Sequence, residues 1–471
     1  MNRQQFIQTM TMAGAGAILP SDLRAEGSGF LEVRTPVSKR RFTSKAVERV
    51  IAEVQSTIEN KELAWMFGNC FPNTLDTTVD FSMVDGKPDT YVITGDIDAM
   101  WLRDSSAQVW PYLPLMKDDP PLKDLIAGVI NRQTRCILLD PYANAFFKDG
   151  TREGEWDSDN TEMKPGVHER KWEIDSLCYP IRLAHEYWKQ TDDTSPFDEA
   201  WHRAIELTLQ TFIEQQRKED KGPYSFMRRT EIATDTVPGR GYGNPGRPVG
   251  LIHSMFRPSD DATIFPFLVP SNFFAVVSLR QAAEMLDSIS KDGDLAGRCR
   301  ALADEVEKAL EEFAIVDHPF AGKVYAYEVD AYGNYYCTDD GNIPSLLSLP
   351  YLGVVKVDSS VYQNTRKMLL SDVNPYYCIG SVARGIGGPH VGVDMIWPLG
   401  VVMEGLTATR DAEIRACLET LRKTHAGTGF MHEGFHKDDP SNFTRSWFAW
   451  ANTIFGELVL KTYHERPHLL S

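Results

Sequence analysis

Apolar side chains recur three and four positions apart in several long stretches of the chain. In Ser44–Lys61 the repeat is Val47, Val50, Ile51 and Val54, with charged residues between them. That spacing is the mark of an amphipathic helix. It predicts further helices over Asp175–Gln190, Phe197–Gln216, Ser271–Leu286, Leu295–Phe313, Asp411–Thr424 and Ser446–Leu460. Long loops rich in Gly, Pro, Asp and aromatic residues separate them: Asp140–Arg170, Gly222–Ser259, Tyr325–Leu349 and Asn374–Pro389. Short strand-like pieces such as Tyr91–Thr94 fall in these connections.

Two kinds of helix are present. Leu295–Phe313 is apolar on one face, whereas Asn272–Ser278 and Trp447–Leu460 are apolar nearly all round. A helix of the second kind must be buried on every side. An alternation of the two predicts an outer and an inner helical layer, that is, an all-α toroid entered by long loops. Two packed helical bundles are the competing arrangement. No Pro/Ser linker or low-complexity run marks a domain boundary.

Composition narrows the function classes. The 471 residues hold 66 acids and 49 bases, for a net charge of −17. Phosphate neutralisation needs a basic face, so nucleic acid is not an expected partner. Ten Trp, 17 Tyr and 23 Phe fill a core or stack on the apolar faces of sugars. No apolar run reaches the roughly 18 residues of a membrane span. Seven cysteines are scattered without C-x-x-C or Cys/His spacing, which argues against a zinc site and for buried thiols. Residues 1–25 carry Arg3, a weakly apolar run from Thr9 to Leu19, and Leu23-Arg24-Ala25. This is the layout of an export signal, Sec-type or a degenerate twin-arginine one. A mature periplasmic or secreted domain would then span residues 26–471.

Polar and aromatic residues gather in five loops ahead of expected inner helices. Gly95–Ser105 holds Asp96, Asp98, Trp101, Arg103 and Asp104. Arg103 beside Asp104 suggests an ion pair that presents hydrogen-bonding groups, with Asp104 or Ser105 as a helix cap. Trp172–Tyr179 holds Glu173 and a second candidate cap, Asp175. Phe256–Ala262 holds Arg257 and the adjacent acids Asp260 and Asp261, one of which is raised in pKa if both are buried. Gly387–Pro398 brings His390, Asp394 and Trp397 behind a glycine pair. Gly429–His436 carries His432 and Glu433, and Arg445 follows. His432-Glu433-x-x-His436 has the spacing of a zinc motif, but that motif needs a helix and the flanking glycines predict a loop. Two separated carboxylates in an aromatic setting fit glycoside hydrolysis, in which one protonates the leaving oxygen and the other activates water or attacks carbon.

These residues carry a resemblance. Gly95–Ser105 (GDIDAMWLRDS), Phe256–Ala262 (FRPSDDA), Val269–Asn272 (VPSN) and Gly429–Phe435 (GFMHEGF) closely resemble glycoside hydrolase family 125, a family of exo-α-1,6-mannosidases. The likeness runs from about Ser44 to the C-terminus. It implies an (α/α)6 barrel and an inverting mechanism without metal or other cofactor. The implied substrate is a terminal α-1,6-linked mannose of N-glycan or mannan fragments. By position it implies Asp260 as general acid, with Asp261 as the alternative, and Glu433 as general base. It further implies that Asp98, Trp101, Arg103, Asp104, Trp172, Glu173, Arg257, His390, Asp394, Trp397, His432 and Arg445 line the sugar site. Another toroidal glycosidase of glucosidase or trehalase type, or a glycan-binding protein without turnover, also fits paired acids and aromatics.

Overall fold

The computed structural model describes residues 29–471; the expected export signal lies outside them. The chain forms an (α/α)6 barrel. Its inner helices are Leu102–Val109, Ile174–Thr191, Val269–Met285, Pro398–Leu406 and Ala449–Glu465. The first three pack in sequence, the fourth packs on the fifth, and the fifth closes on the first. Between the third and fourth, in chain order, comes a buried run of turns over residues 343–354 instead of a helix. Outer helices include Pro120–Leu139, Glu199–Gln215, Gly293–Phe313, Ser360–Leu369 and Asp411–Lys423.

The two layers differ as the patterns predict. Every residue of Leu102–Val109 is buried. Gly293–Phe313 buries only Leu295, Ala296, Cys299, Leu302, Ala303, Val306, Ala309 and Leu310, at helical spacing. The expected helix over Ser44–Lys61 is instead two. Lys45–Thr57 ends, and Asn60 restarts the chain by accepting the Glu62 and Leu63 N–H groups, so that Lys61–Cys70 follows. All seven cysteines are unpaired, five of them buried. Among the described residues no helix is long and apolar enough to cross a membrane.

Small sheets brace one end of the barrel. Met100–Trp101 pairs with Ala145–Phe146, which pairs with Val167–Glu169. Phe267–Leu268 pairs with Glu328–Val329. Met395–Ile396 pairs with Gly434–His436, which pairs with Phe443–Thr444. Each of these sheets delivers the chain into the N-terminus of an inner helix.

Two buried asparagines pin the loops at this end. Asn272, in the first turn of its helix, accepts the Ile252 N–H at 2.8 Å and donates to Ile252 O and Leu268 O. Asn452 does the same: it accepts the Met431 N–H at 2.9 Å and donates to Met431 O and Phe448 O. The two asparagines therefore hold the loops that carry Asp260 and Glu433. Replacing either by Ala strands a buried N–H and a buried C=O, at a cost of about 2–4 kcal/mol. Asn272→Ala and Asn452→Ala should each lower the thermal midpoint by several degrees in calorimetry. Unchanged midpoints would show that the pins do not hold the fold.

Candidate active site

The barrel mouth is organised by two arginines, Arg103 buried and Arg445 half-buried. Arg103, 2% exposed, projects from the first turn of Leu102–Val109. Its Nη1 donates to Glu173 Oε2 at 2.6 Å and to Asp175 Oδ2 at 3.1 Å. Its Nη2 lies 3.6 Å from Asp260 Oδ1, and its Nε lies 3.6 Å from Asp104 Oδ2. The expected Arg103–Asp104 pair is thus, with Asp260, one of the two longer arms of a larger cluster. The expected caps also fall elsewhere. The helices begin at Leu102 and Ile174, so Asp104 and Asp175 sit in first turns with no capping bond. Their carboxylates are left for the arginine.

Arg445 organises the second cluster. It donates to Asp96 Oδ1 from Nε at 2.8 Å and from Nη2 at 2.5 Å, and to Thr94 Oγ1 at 3.1 Å. Its Nη1 reaches Glu433 Oε1 at 3.4 Å. His390 Nε2 lies 3.7 Å from the same oxygen, and its ring stacks on Trp397 with centroids 5.7 Å apart. The loops interlock through backbone: Asp96 N–H donates to Trp447 O, and Ala449 N–H to Thr94 O. Gly95 at φ +136° is required here, since a Cβ would stand 2.2 Å from the Trp447 carbonyl oxygen.

Asp104 joins the clusters, feeling both Arg103 and Arg445 as well as Asp260. Burial pushes its carboxyl up to about 6, with Arg103 opposing and Asp260 adding to the rise. Burial likewise raises Glu173 well above the carboxylate range and raises Asp175. Asp260 keeps 22% of its side chain exposed. It adopts the left-handed conformation, φ +68°, and Arg445 does so at φ +45°. Such backbone is uncommon outside glycine and concentrates at functional sites. Asp261 is 3% exposed, its Oδ2 has no partner, and burial raises it against the pull of His390.

Other expected site residues are placed differently. Asp98 is an exposed rim group paired with Arg152 at 2.9 Å. Asp394 pairs with Lys437 at 2.6 Å and is half-buried. Trp172 is fully buried and donates its indole N–H to His253 O, so it packs behind the mouth. Arg257 is buried on Glu328 at 2.6 Å and supports the Asp260 loop from below. His432 stacks on Phe443 at 3.7 Å, and burial lowers it to about 4. The zinc-like spacing lies on a loop and a strand, and among the described residues no group of three or more His, Cys, Asp or Glu is placed to hold a metal ion. Trp101 is 7% exposed and meets the His168 ring edge-on, whereas Trp397 is 1% exposed and packs beneath the His390 ring; each has a buried indole N–H that has no acceptor.

Sequence reasoning missed Asn144 and Lys171. Asn144 donates to Glu169 at 3.0 Å and to Asp260 Oδ1 at 3.4 Å. Lys171 donates to the Asp260 backbone carbonyl at 3.1 Å and to Asp235 at 2.8 Å. Asn144 lies within the long loop Asp140–Arg170, where no periodicity or motif singles it out.

A helical toroid whose mouth gathers buried carboxylates around two arginines is the architecture of a glycoside hydrolase. Over residues 60–460 the chain matches the metal-independent alpha-mannosidase family, GH125, and it belongs to that family. It is 44% identical to the Meiotically up-regulated gene 157 protein of Schizosaccharomyces pombe, over 93% of this chain and 89% of that protein. A metal-independent alpha-mannosidase of Streptococcus pneumoniae, solved in a non-productive complex with α-1,6-mannobiose, is 40% identical. It superposes with a TM-score of 0.86 over 90% of this chain and all of that one. A bacterial glucoamylase shares the fold at 14% identity and a TM-score of 0.53, over 89% of this chain and 59% of its own.

The Asp104 carboxyl generates a pH prediction. Its ordinary pKa is 3.8 and its folded value about 6. The folded state thus favours the protonated form, and that stability is lost as pH rises through about 6. Asp104→Asn stays neutral throughout. The Tm difference, variant minus wild type, should grow more positive between pH 4 and pH 7. A flat difference in calorimetry would refute the shift.

Proposed function

We propose that the chain is an exo-acting α-1,6-mannosidase that hydrolyses with inversion, using Asp260 as general acid and Glu433 as general base. The observation that carries this reading is the delivery of two carboxylates to one mouth, each on an asparagine-pinned loop and each beside its own arginine cluster. The likeness to a streptococcal relative complexed with α-1,6-mannobiose supports the linkage.

Asp260 is favoured over Asp261 because it is the partly open member of the pair. Asp261 is turned inward, and its backbone carbonyl accepts the Arg257 N–H at 2.8 Å. In the reaction Asp260 gives its proton to the glycosidic oxygen as the C1–O bond breaks, and the bonding electrons leave with that oxygen. Glu433 takes a proton from a water whose oxygen bonds to C1 from the opposite face. Arg445 at 3.4 Å favours the ionised base that this step needs. Such a mechanism places the two carboxyl groups about 6.5–9.5 Å apart, with room for the water. The His390 ring, 3.7 Å from Glu433, is suited to a pyranose with many hydroxyls.

A proton NMR time course on α-1,6-mannobiose should show β-mannose before α-mannose. The reverse order would overturn inversion. Asp260→Asn and Glu433→Gln should each lower kcat by about 10²–10⁴-fold. Retained turnover in Asp260→Asn with loss in Asp261→Asn would move the acid by one residue.

A further inference from the structure

Four carboxyl groups surround the Arg103 guanidinium: Asp104 from its own helix, Glu173 and Asp175 from the next inner helix, and Asp260 from the loop above. The nearest additional cation, Lys171, is committed to Asp235, Glu169 and the Asp260 backbone. Arg445 is committed to Asp96 and Glu433. Three buried carboxyls and a partly open fourth outnumber the one guanidinium they surround, which favours protons within this cluster.

Glu173 is the place to hold one. It is 0% exposed. Its Oε2 is taken by Arg103 at 2.6 Å and by Ser176 Oγ at 2.8 Å. Its Oε1 is buried and has no hydrogen-bond donor. Asp260 and Glu173 meet on the two terminal nitrogens of the Arg103 guanidinium, Nη2 at 3.6 Å and Nη1 at 2.6 Å. Two ionised carboxylates side by side on one cation are both acceptors and repel, and a proton on the pair relieves that repulsion. Burial raises Glu173 well above the usual carboxylate range, which agrees with this placement.

We propose that Glu173 is a positioning residue that shares one proton with Asp260 and keeps that proton on the pair at neutral pH. The inference rests on the reading of Asp260 as the acid. In each turnover the shared proton passes from Asp260 to the leaving oxygen, and the pair becomes briefly dianionic beside Arg103. The water that attacks C1 loses its proton to Glu433, which releases it to solvent. A solvent proton then restores the pair, so the cycle balances. The negative charge of Glu173 is what makes the second deprotonation of the pair difficult. Asp104 and Asp175 add to that charge, and Arg103 and Lys171 oppose it.

Glu173→Gln retains an acceptor for Arg103 and the side-chain volume but removes the titrating group. The alkaline limb of the kcat/KM profile on α-1,6-mannobiose should move at least one unit to lower pH. Activity should fall tenfold or more at pH 8 and recover toward pH 5. Glu173→Asp, which still titrates, should restore part of the limb and serves as the test if the Gln variant does not fold. An equal loss at every pH, with the limb unmoved, would overturn the proposal and leave Glu173 a structural ligand of Arg103. A second substrate separates the two readings. Dinitrophenyl α-mannoside has a leaving group that needs no proton, so Asp260→Asn and Glu173→Gln should each lose at least tenfold less activity on it than on α-1,6-mannobiose. If Asp260→Asn loses both substrates alike, Asp260 is not the acid and the underlying reading fails. If Asp260→Asn passes and the Glu173→Gln limb stays in place, only the shared proton fails.

Discussion

The mouth of the barrel depends on the burial of one guanidinium. A charge as deep as Arg103 is tolerated only when its donors are met by carboxylates. Those carboxylates come from two inner helices and the Asp260 loop. Satisfying the arginine therefore fixes the relative positions of three segments far apart in sequence. Removing one partner of such a buried cluster typically costs about 3–5 kcal/mol, because the remaining charges are stranded. Arg445 repeats the device on the other side of Asp104, tying Asp96 and Thr94 to the loop of Glu433. The toroid supplies the setting. Its inner helices turn their N-termini toward the mouth, where unpaired N–H groups and the helix dipole favour the first-turn acids Asp104 and Asp175.

Hydrogen bonding of the backbone then decides where the two loops sit. Each leaves buried amide groups that no regular element satisfies, and each is met by one asparagine in the first turn of the following helix. The recurrence at Asn272 and Asn452 gives a physical meaning to the Val269–Asn272 motif. It is a clamp on the preceding loop, not a group that touches sugar. The same holds for Gly95. It is needed because the Trp447 carbonyl passes where a side chain would be.

This explains what was legible in the sequence. Helices whose burial is one-sided announce themselves by spacing, and Leu295–Phe313 and Asp411–Thr424 fall within a few residues of the observed Gly293–Phe313 and Asp411–Lys423. Buried-all-round helices such as Pro398–Leu406 carry no period, and the turns over residues 343–354 in the inner ring carry no helical signal at all. Within the loops, residue type pointed to the mouth but not to the role. Asp98 shares a motif with Asp104, and Asp394 sits in a loop of similar composition, yet each pairs with a cation outside the two arginine clusters, Arg152 and Lys437. Trp172 and His432 are equally suited to a sugar or a core, and packing places them behind the mouth. Asn144 reaches Asp260 only because a strand pair, Met100–Trp101 with Ala145–Phe146, folds its loop back. Long-range contacts of that kind leave no local trace.

The site also stores cost that the rest of the molecule offsets. Asp260 and Arg445 hold left-handed backbone, a conformation that costs of order 1–3 kcal/mol for a residue with a side chain. Glu173, Asp175 and Asp104 are buried as like charges, and burial raises all of them. Neither feature stabilises the fold. The second is what the proposed acid, a carboxyl that keeps a proton at neutral pH, requires: a low-dielectric surrounding, an anionic neighbour, and a cation to limit the penalty. The net charge of −17 is spread over a screened surface and contributes little to this. What matters is the local imbalance of four carboxyls against one guanidinium, three of them buried and only Asp260 partly open.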